Sequence, residues 1–141
     1  MLRRKKTGRR EMREHIFQLL FLSEFNQNEE MPEQIQLYFQ DMGDLQPVEQ
    51  AYMEDKYGKI KERIEELDQI LNENSTGWKT KRMSKVDLNI LRLALYEMKY
   101  DEDVPVKVAI NEAVEIGKLF GGEDSASFIN GILGKVAREA L

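Results

Sequence analysis

Basic and aromatic side chains recur at helical spacing near the start of the chain. In order, they are Arg10, Arg13, Phe17 and Phe21. Steps of three and four residues place them along one side of an α-helix. Guanidinium groups bind phosphates, and aromatic rings stack on unpaired bases, so this stripe predicts a surface for single-stranded nucleic acid. The alternative is that both rings belong to the core and the arginines merely face solvent, because a helix with many apolar positions is usually well buried.

The charge distribution favours the same interpretation. The formal net charge is −5, yet residues 1–13 carry seven basic side chains and one acidic one, a balance of +6. The remaining residues carry 14 basic and 25 acidic side chains, a balance of −11. A cationic segment on an acidic body favours a polyanion as its partner. We predict a flexible basic arm at residues 1–8, with phosphate contacts from the cations of residues 1–13: Arg3, Arg4, Lys5, Lys6, Arg9, Arg10 and Arg13.

The elements that must position these groups are predicted to be helices. Periodicity and bounding Pro, Gly and capping residues indicate helices at 9–26, 32–42, 47–72, 84–100, 106–120 and from 126 to the end. Residues 84–100 lack Gly and Pro and are apolar on most of their circumference, which indicates the central helix of an all-α domain. The polar break at residues 72–77 predicts a hinge between two packed halves, 9–72 and 78–141, of a single domain spanning 9–141.

Two aspartates and one aromatic residue stand at predicted helix starts. Asp87 and Asp124 fall at N-termini, where a carboxylate ordinarily caps the helix and contributes about 1 kcal/mol. The alternative is that they accept hydrogen bonds from base amino groups or a ribose hydroxyl. Phe128 lies one turn into the last helix, where the apolar pattern places it in the core.

The segment after the hinge carries a tryptophan beside cations. Trp78 is followed by Lys79, Lys81 and Arg82. We expect Trp78 to cover the core, with contact to a protein partner as the alternative, because Trp is enriched at interface hot spots. Farther on, Arg92 lies in the most apolar helix and requires an acidic partner, for which Glu112 or Glu115 is best placed.

Several classes of function are disfavoured. The chain has no cysteine, which excludes thiol catalysis and fits a reducing compartment such as the cytoplasm. A single histidine argues against an imidazole-based metal site. No GxGxxG, GxxxxGK or GxSxG motif occurs, so we expect no enzyme activity, catalytic residue or cofactor. No apolar run approaches the roughly 18 residues that a membrane span requires.

Three runs of sequence resemble the NusB family of bacterial transcription antitermination factors. They are Asp87–Glu97 (DLNILRLALYE), Val104–Glu115 (VPVKVAINEAVE) and Gly121–Leu133, which contains GGEDS and FINGIL. The resemblance is strong over residues 78–134. In the N-terminal half it rests on Arg9-Arg10-Glu11 leading to Gln18-Leu19-Leu20-Phe21.

The resemblance implies two helical halves of three to four helices each and a non-catalytic function. It implies binding of boxA-type single-stranded RNA together with NusE, a small-subunit ribosomal protein, in the RNA polymerase elongation complex. The arginine-rich start, Phe21, Asp124 and Phe128 fall where the family contacts RNA, and Asp87 falls close to RNA or NusE. We therefore expect RNA contacts from the first group and partner contacts from Asp87, Trp78 and Arg82. A protein-only scaffold or accessory domain in ribosome or rRNA biogenesis is the alternative, and the pattern leaves a homodimer open.

Overall fold

The computed structural model describes residues 7–141, and that range contains seven α-helices, one 3-10 turn and no strand. The predicted all-α class is confirmed. The helices are α1 Arg9–Leu22, α2 Met31–Met42, α3 Pro47–Glu62, α4 Ile64–Asn74, α5 Lys85–Tyr100, α6 Val106–Phe120 and α7 Ser125–Glu139, and the 3-10 turn is Thr80–Arg82. Arg3, Arg4, Lys5 and Lys6 lie outside the described residues. None of the helices described is long and apolar enough to cross a membrane.

The chain forms two compact units that meet in sequence between Lys59 and Ile60. The first unit holds α1, α2 and most of α3, and the second holds the end of α3 together with α4 to α7. The predicted division into halves at residues 9–72 and 78–141 stays a prediction. The loop at residues 75–79 belongs to the second unit, and the predicted hinge function of residues 72–77 stays a prediction.

In the first unit, α1 is anchored by its apolar face and by two polar contacts. Ile16, Leu19 and Leu20 are fully or almost fully buried. His15 Nδ1 lies 2.6 Å from the Tyr38 hydroxyl, which joins α1 to α2. Burial and the nearby Glu14 carboxylate raise the pKa of Tyr38 to about 12, so this phenol stays protonated. The Thr7 amide donates to Glu49 Oε2 at 2.8 Å, which ties the start of α1 to α3.

In the second unit, α5 is the central helix, as predicted. Every residue from 88 to 98 is buried, and α5 packs against α4, α6 and α7. Helices α6 and α7 approach closely at Gly117, where an added Cβ would lie 2.8 Å from Ile129 Cδ1. Gly117 therefore allows α7 to approach α6 closely, and this packing positions the start of α7.

The predicted single helix over residues 47–72 is wrong, because the chain leaves helical geometry at Arg63 (φ −112°, ψ 12°). The Arg63 amide donates to the Ile60 carbonyl at 3.0 Å, an i−3 bond that tightens the end of α3. Its guanidinium lies 4.0 Å from the centre of the Tyr100 ring and 3.5 Å from Glu66. The break between α3 and α4 therefore coincides with contacts of Arg63 with α4 and α5. Neither Gly nor Pro occurs at this position.

Arg92 has an acidic partner that the sequence did not indicate, and its predicted pairing with Glu112 or Glu115 stays a prediction. Arg92 is paired with Asp68 on α4, with Nε donating to Oδ1 at 2.8 Å and an NH2 group donating to Oδ2 at 2.6 Å. Asn89 Oδ1 accepts a further bond at 3.1 Å. Because α4 packs against α5, this bidentate pair lies between them, 24 residues apart in sequence.

Candidate nucleic-acid interface

The start of α1 presents cations to solvent. Arg9 and Arg10 are exposed on the first turn, and the preceding Gly8 is extended and supplies no side-chain cap. The backbone amides of this turn lie at the positive end of the helix dipole. Phosphate groups are therefore favoured here by both the side chains and the backbone.

The middle of the predicted stripe is buried. Arg13 is 8% exposed and Phe17 is 2% exposed, so the expectation that the whole stripe faces solvent is wrong for these two residues. Arg13 lies one turn before Ile16, and Phe17 lies one turn before Leu20, and both Ile16 and Leu20 belong to the buried face of α1. Phe17 follows the core alternative, whereas Phe21 is half-buried and keeps part of its ring accessible.

The end of α1 brings a second ring beside Phe21. The helix stops at Leu22, four residues before its predicted end, and the Asn26 side-chain amide donates to the Leu22 carbonyl at 2.9 Å. Phe25, which lies within the predicted helix 9–26, is therefore outside α1 and is 65% exposed. Its ring centroid lies 5.0 Å from that of Phe21 in an edge-on arrangement. Ser23 and Asn26, residues that favour turns, were the signal for this exposure.

The start of α7 combines a carboxylate with a ring. Asp124 is exposed and makes no capping hydrogen bond, so its expected capping function is wrong. Instead, Ser125 Oγ accepts from the Gly122 amide at 2.9 Å. Phe128 lies one turn farther on the same helical face and is half-buried rather than fully in the core. An exposed hydrogen-bond acceptor and a partly accessible ring therefore lie side by side.

The start of α5 forms half of a capping box, in which the side chains of Ser84 and Asp87 would each bond the other's backbone amide. Ser84 Oγ accepts from the Asp87 amide at 3.0 Å. Among the described residues, the buried Asp87 Oδ1 has no hydrogen-bond partner, so the reciprocal bond is not made by this oxygen. A buried acceptor without a partner is destabilising, which makes Asp87 a candidate for contact with a bound molecule.

Trp78 does not cover the core, contrary to expectation. Its side chain is 49% exposed, and the Arg82 guanidinium carbon lies 5.1 Å from the centre of its ring. Arg82 is exposed as well. Both residues are therefore accessible to a partner molecule.

Comparison with known proteins decides the family. The family model described as the NusB family matches residues 10–138. The chain belongs to the NusB family. The transcription antitermination protein NusB of Lachnoclostridium phytofermentans is 52% identical over 128 residues, which cover 91% of this chain and 97% of the relative. That of Agathobacter rectalis is 46% identical over 129 residues, covering 92% and 98%.

Solved structures agree with a NusB fold. NusB of T. maritima has a TM-score of 0.83 at 36% identity and covers 96% of this chain and 94% of its own. A crystal structure of the antitermination factors NusB and NusE in complex with dsRNA has a TM-score of 0.80 at 20% identity, covering 92% and 96%. At that identity, the second similarity shows the shared fold alone.

Within this NusB fold, the predicted site residues fall into separate groups. The first unit carries Arg9, Arg10 and Phe21. It also carries the exposed Phe25, which was not among the predicted site residues. The second unit carries Asp87, Asp124 and Phe128. RNA and partner contacts by these residues stay predictions.

Proposed function

We propose that this NusB-family chain is a non-catalytic adaptor in transcription antitermination. It binds boxA-type single-stranded RNA together with NusE and acts in the cytoplasm within the RNA polymerase elongation complex. Family membership supports this proposal, because the curated relatives are named transcription antitermination protein NusB. A NusB of the same fold has been crystallised with NusE and RNA, which supports the choice of partners.

The observation that carries the proposal is the layout of α1. Exposed Arg9 and Arg10 lie at one end, and the partly accessible ring of Phe21 lies near the other. Arg10 and Phe21 are eleven positions apart in the sequence, a distance of roughly 17 Å along the helix axis. A single strand that follows α1 can place phosphates on the arginines and stack a base on the ring.

The start of α7 supplies a second group of base contacts. The Asp124 carboxylate is free of capping and can accept a hydrogen bond from a base amino group. Phe128, on the adjacent turn, offers a ring face for stacking. The cations thus provide attraction without regard to sequence, while the rings and the carboxylate select unpaired bases.

The acidic body suits a basic protein partner. Beyond residue 13 the chain has a balance of −11, which repels RNA from other surfaces and attracts a cationic ribosomal protein. Asp87, whose Oδ1 lacks a partner among the described residues, is our candidate for contact with NusE.

A fluorescence anisotropy titration with a labelled boxA-type RNA tests the proposal. With about three to five phosphate contacts, the slope of log affinity against log salt should be roughly −2 to −3.5. Arg9→Ala/Arg10→Ala should make this slope shallower by about 1.4. The matched control is Lys107→Ala/Arg138→Ala, which removes two exposed cations of the second unit. The proposal would be contradicted by an RNA affinity that does not depend on salt concentration. It would also be contradicted if both double variants lost the same amount of RNA affinity.

A further inference from the structure

Trp78 is held in an exposed position by a rigid local scaffold. Its side chain is 49% exposed, which is unusual for the largest apolar residue type. Its backbone carbonyl accepts from Ser75 Oγ at 2.5 Å, and Ser75 is itself buried. The following Thr80 is buried and donates its amide to Asn72 Oδ1 at 2.8 Å. The indole is therefore presented to solvent by a fixed turn rather than by a loose loop.

The charged residues that follow Trp78 in the sequence, up to residue 86, are all basic. Residues 78–86 contain four basic side chains and no acidic one, within a body that is otherwise acidic. The 3-10 turn Thr80–Arg82 places Arg82 over the Trp78 ring at 5.1 Å, and Lys81 is exposed beside it. Within residues 7–141, neither Lys81 nor Arg82 has a carboxylate within ion-pair distance.

Lys79 is excluded from this group because it is engaged elsewhere. Its ammonium donates to the Asn72 carbonyl at 2.6 Å and to the Ser75 carbonyl at 3.3 Å. It also lines a groove together with Glu65 and Glu73.

We propose that Trp78, Lys81 and Arg82 form a second contact site for single-stranded RNA, separate from α1 and the start of α7. An unpaired base stacks on the exposed indole, while the guanidinium and ammonium groups bind the flanking phosphates. The inference rests on the proposed RNA-binding function and extends it to a new surface. It also revises the expectation that Trp78 and Arg82 contact a protein, because a cationic ribosomal protein would be repelled by these unpaired cations.

The chain offers a direct probe of this site. Trp78 is the only tryptophan of the 141 residues, so emission excited at 295 nm comes from its indole alone. The intact chain is titrated with an unlabelled boxA-type RNA, and binding is followed in parallel by anisotropy of a labelled copy. We expect quenching of the Trp78 emission that saturates at the same RNA concentration as the anisotropy.

Three variants establish that the signal arises from direct contact. Lys81→Ala/Arg82→Ala should reduce the quenching and make the salt slope shallower by about 1.4, the value for two lost phosphate contacts. Trp78→Ala should weaken binding by about fivefold or more, whereas Trp78→Phe should retain most of the affinity because it keeps a stacking ring. Lys107→Ala/Arg138→Ala again serves as the matched control and should change neither quantity.

The outcomes separate this inference from the proposed function. Saturating anisotropy with unchanged Trp78 emission would overturn the second site and leave the proposed function standing. The absence of any RNA binding would overturn both. Emission that responds only when NusE is added would show that the surface binds protein, and it would also overturn the inference.

Discussion

The Phe25 ring lies edge-on to the Phe21 ring, with centroids 5.0 Å apart and planes inclined at 66°. Phe21 in turn lies 6.2 Å from buried Phe17, so three rings run from the core to the surface at four-residue intervals. A partly exposed ring supported on both sides is ordered before a ligand arrives. The entropy lost on stacking a base is correspondingly smaller, which favours binding.

The first prediction concerns this ring. Phe21→Ala should weaken binding of a boxA-type RNA by about 1–3 kcal/mol, the usual effect of losing one stacked base, and Phe21→Tyr should bind nearly as well as the original chain. Anisotropy titrations measure the affinities. Urea unfolding of each variant controls for loss of structure, since Phe21 is half-buried. Equal affinities for Ala and Tyr would exclude stacking at this position.

The second prediction concerns the pair between α4 and α5. Asp68→Ala removes the carboxylate that accepts two hydrogen bonds from the buried guanidinium of Arg92, which is 9% exposed, and should lower the free energy of unfolding by about 3 kcal/mol. Asp55→Ala is the control, because its pair with Lys59 is exposed and should contribute less than about 1 kcal/mol. Urea denaturation measures both. Similar losses would show that Arg92 does not depend on Asp68.

The third prediction is a pH dependence centred on Glu66. Hydrogen bonds from Lys99 Nζ at 2.6 Å and from the Tyr100 hydroxyl at 2.5 Å lower the pKa of Glu66 from 4.5 to about 2. Between these values the unfolded state binds more protons, so unfolding is favoured as the pH falls. The stabilisation is complete above about pH 4.5 and is lost towards pH 2.

The free energy of unfolding should therefore decrease less between pH 5 and pH 2.5 in Glu66→Gln than in the unmodified chain. The midpoints of urea unfolding at the two pH values measure this decrease. Glu102→Gln, which changes an exposed carboxylate of the α5–α6 turn, serves as the comparison. The same contact raises the pKa of Lys99, so its contribution should disappear only as the pH rises beyond the ordinary lysine value of 10.5. A Glu66→Gln acid profile that parallels the unmodified chain would refute the assignment.

The fourth prediction compares two helical glycines. Gly117→Ala would place a methyl group 2.8 Å from Cδ1 of the fully buried Ile129, and the resulting overpacking should destabilise the chain by about 1–3 kcal/mol. Gly131→Ala meets no atom within 4 Å and should stabilise α7 by about 0.5–1 kcal/mol. Thermal unfolding of the two variants shows whether each substitution stabilises or destabilises the chain. A stabilising Gly117→Ala would mean that α6 and α7 can separate freely at this point.

Local signals in the sequence predicted much of the fold. Helix α6 has the bounds expected from Pro105 before it and Gly121-Gly122 after it, because these residues act on their immediate neighbours. The apolar circumference of α5 correctly indicated its central position. The break at Arg63 could not be predicted, since it accompanies contacts with Tyr100, 37 positions away in the chain.

The candidate site was predicted less completely, for a related reason. Periodicity identifies the side of a helix but not how far neighbouring helices cover it, so Arg13 and Phe21 looked equivalent although one is buried and the other partly accessible. Capping was predicted equally at Asp87 and Asp124. In the structure Ser84 supplies the side-chain acceptor that caps α5, whereas the start of α7 has no side-chain cap and Ser125 Oγ instead accepts from the Gly122 amide of the preceding loop.

Ultraviolet crosslinking of the intact chain to a boxA-type RNA, with mass-spectrometric mapping in the presence and absence of NusE, tests the central claim most directly. We expect crosslinked peptides that contain Phe21 on α1 and Phe128 on α7, with yields that fall as salt rises. Recovery of a NusE complex in which neither helix crosslinks to RNA would contradict the claim and indicate a scaffold that binds protein alone.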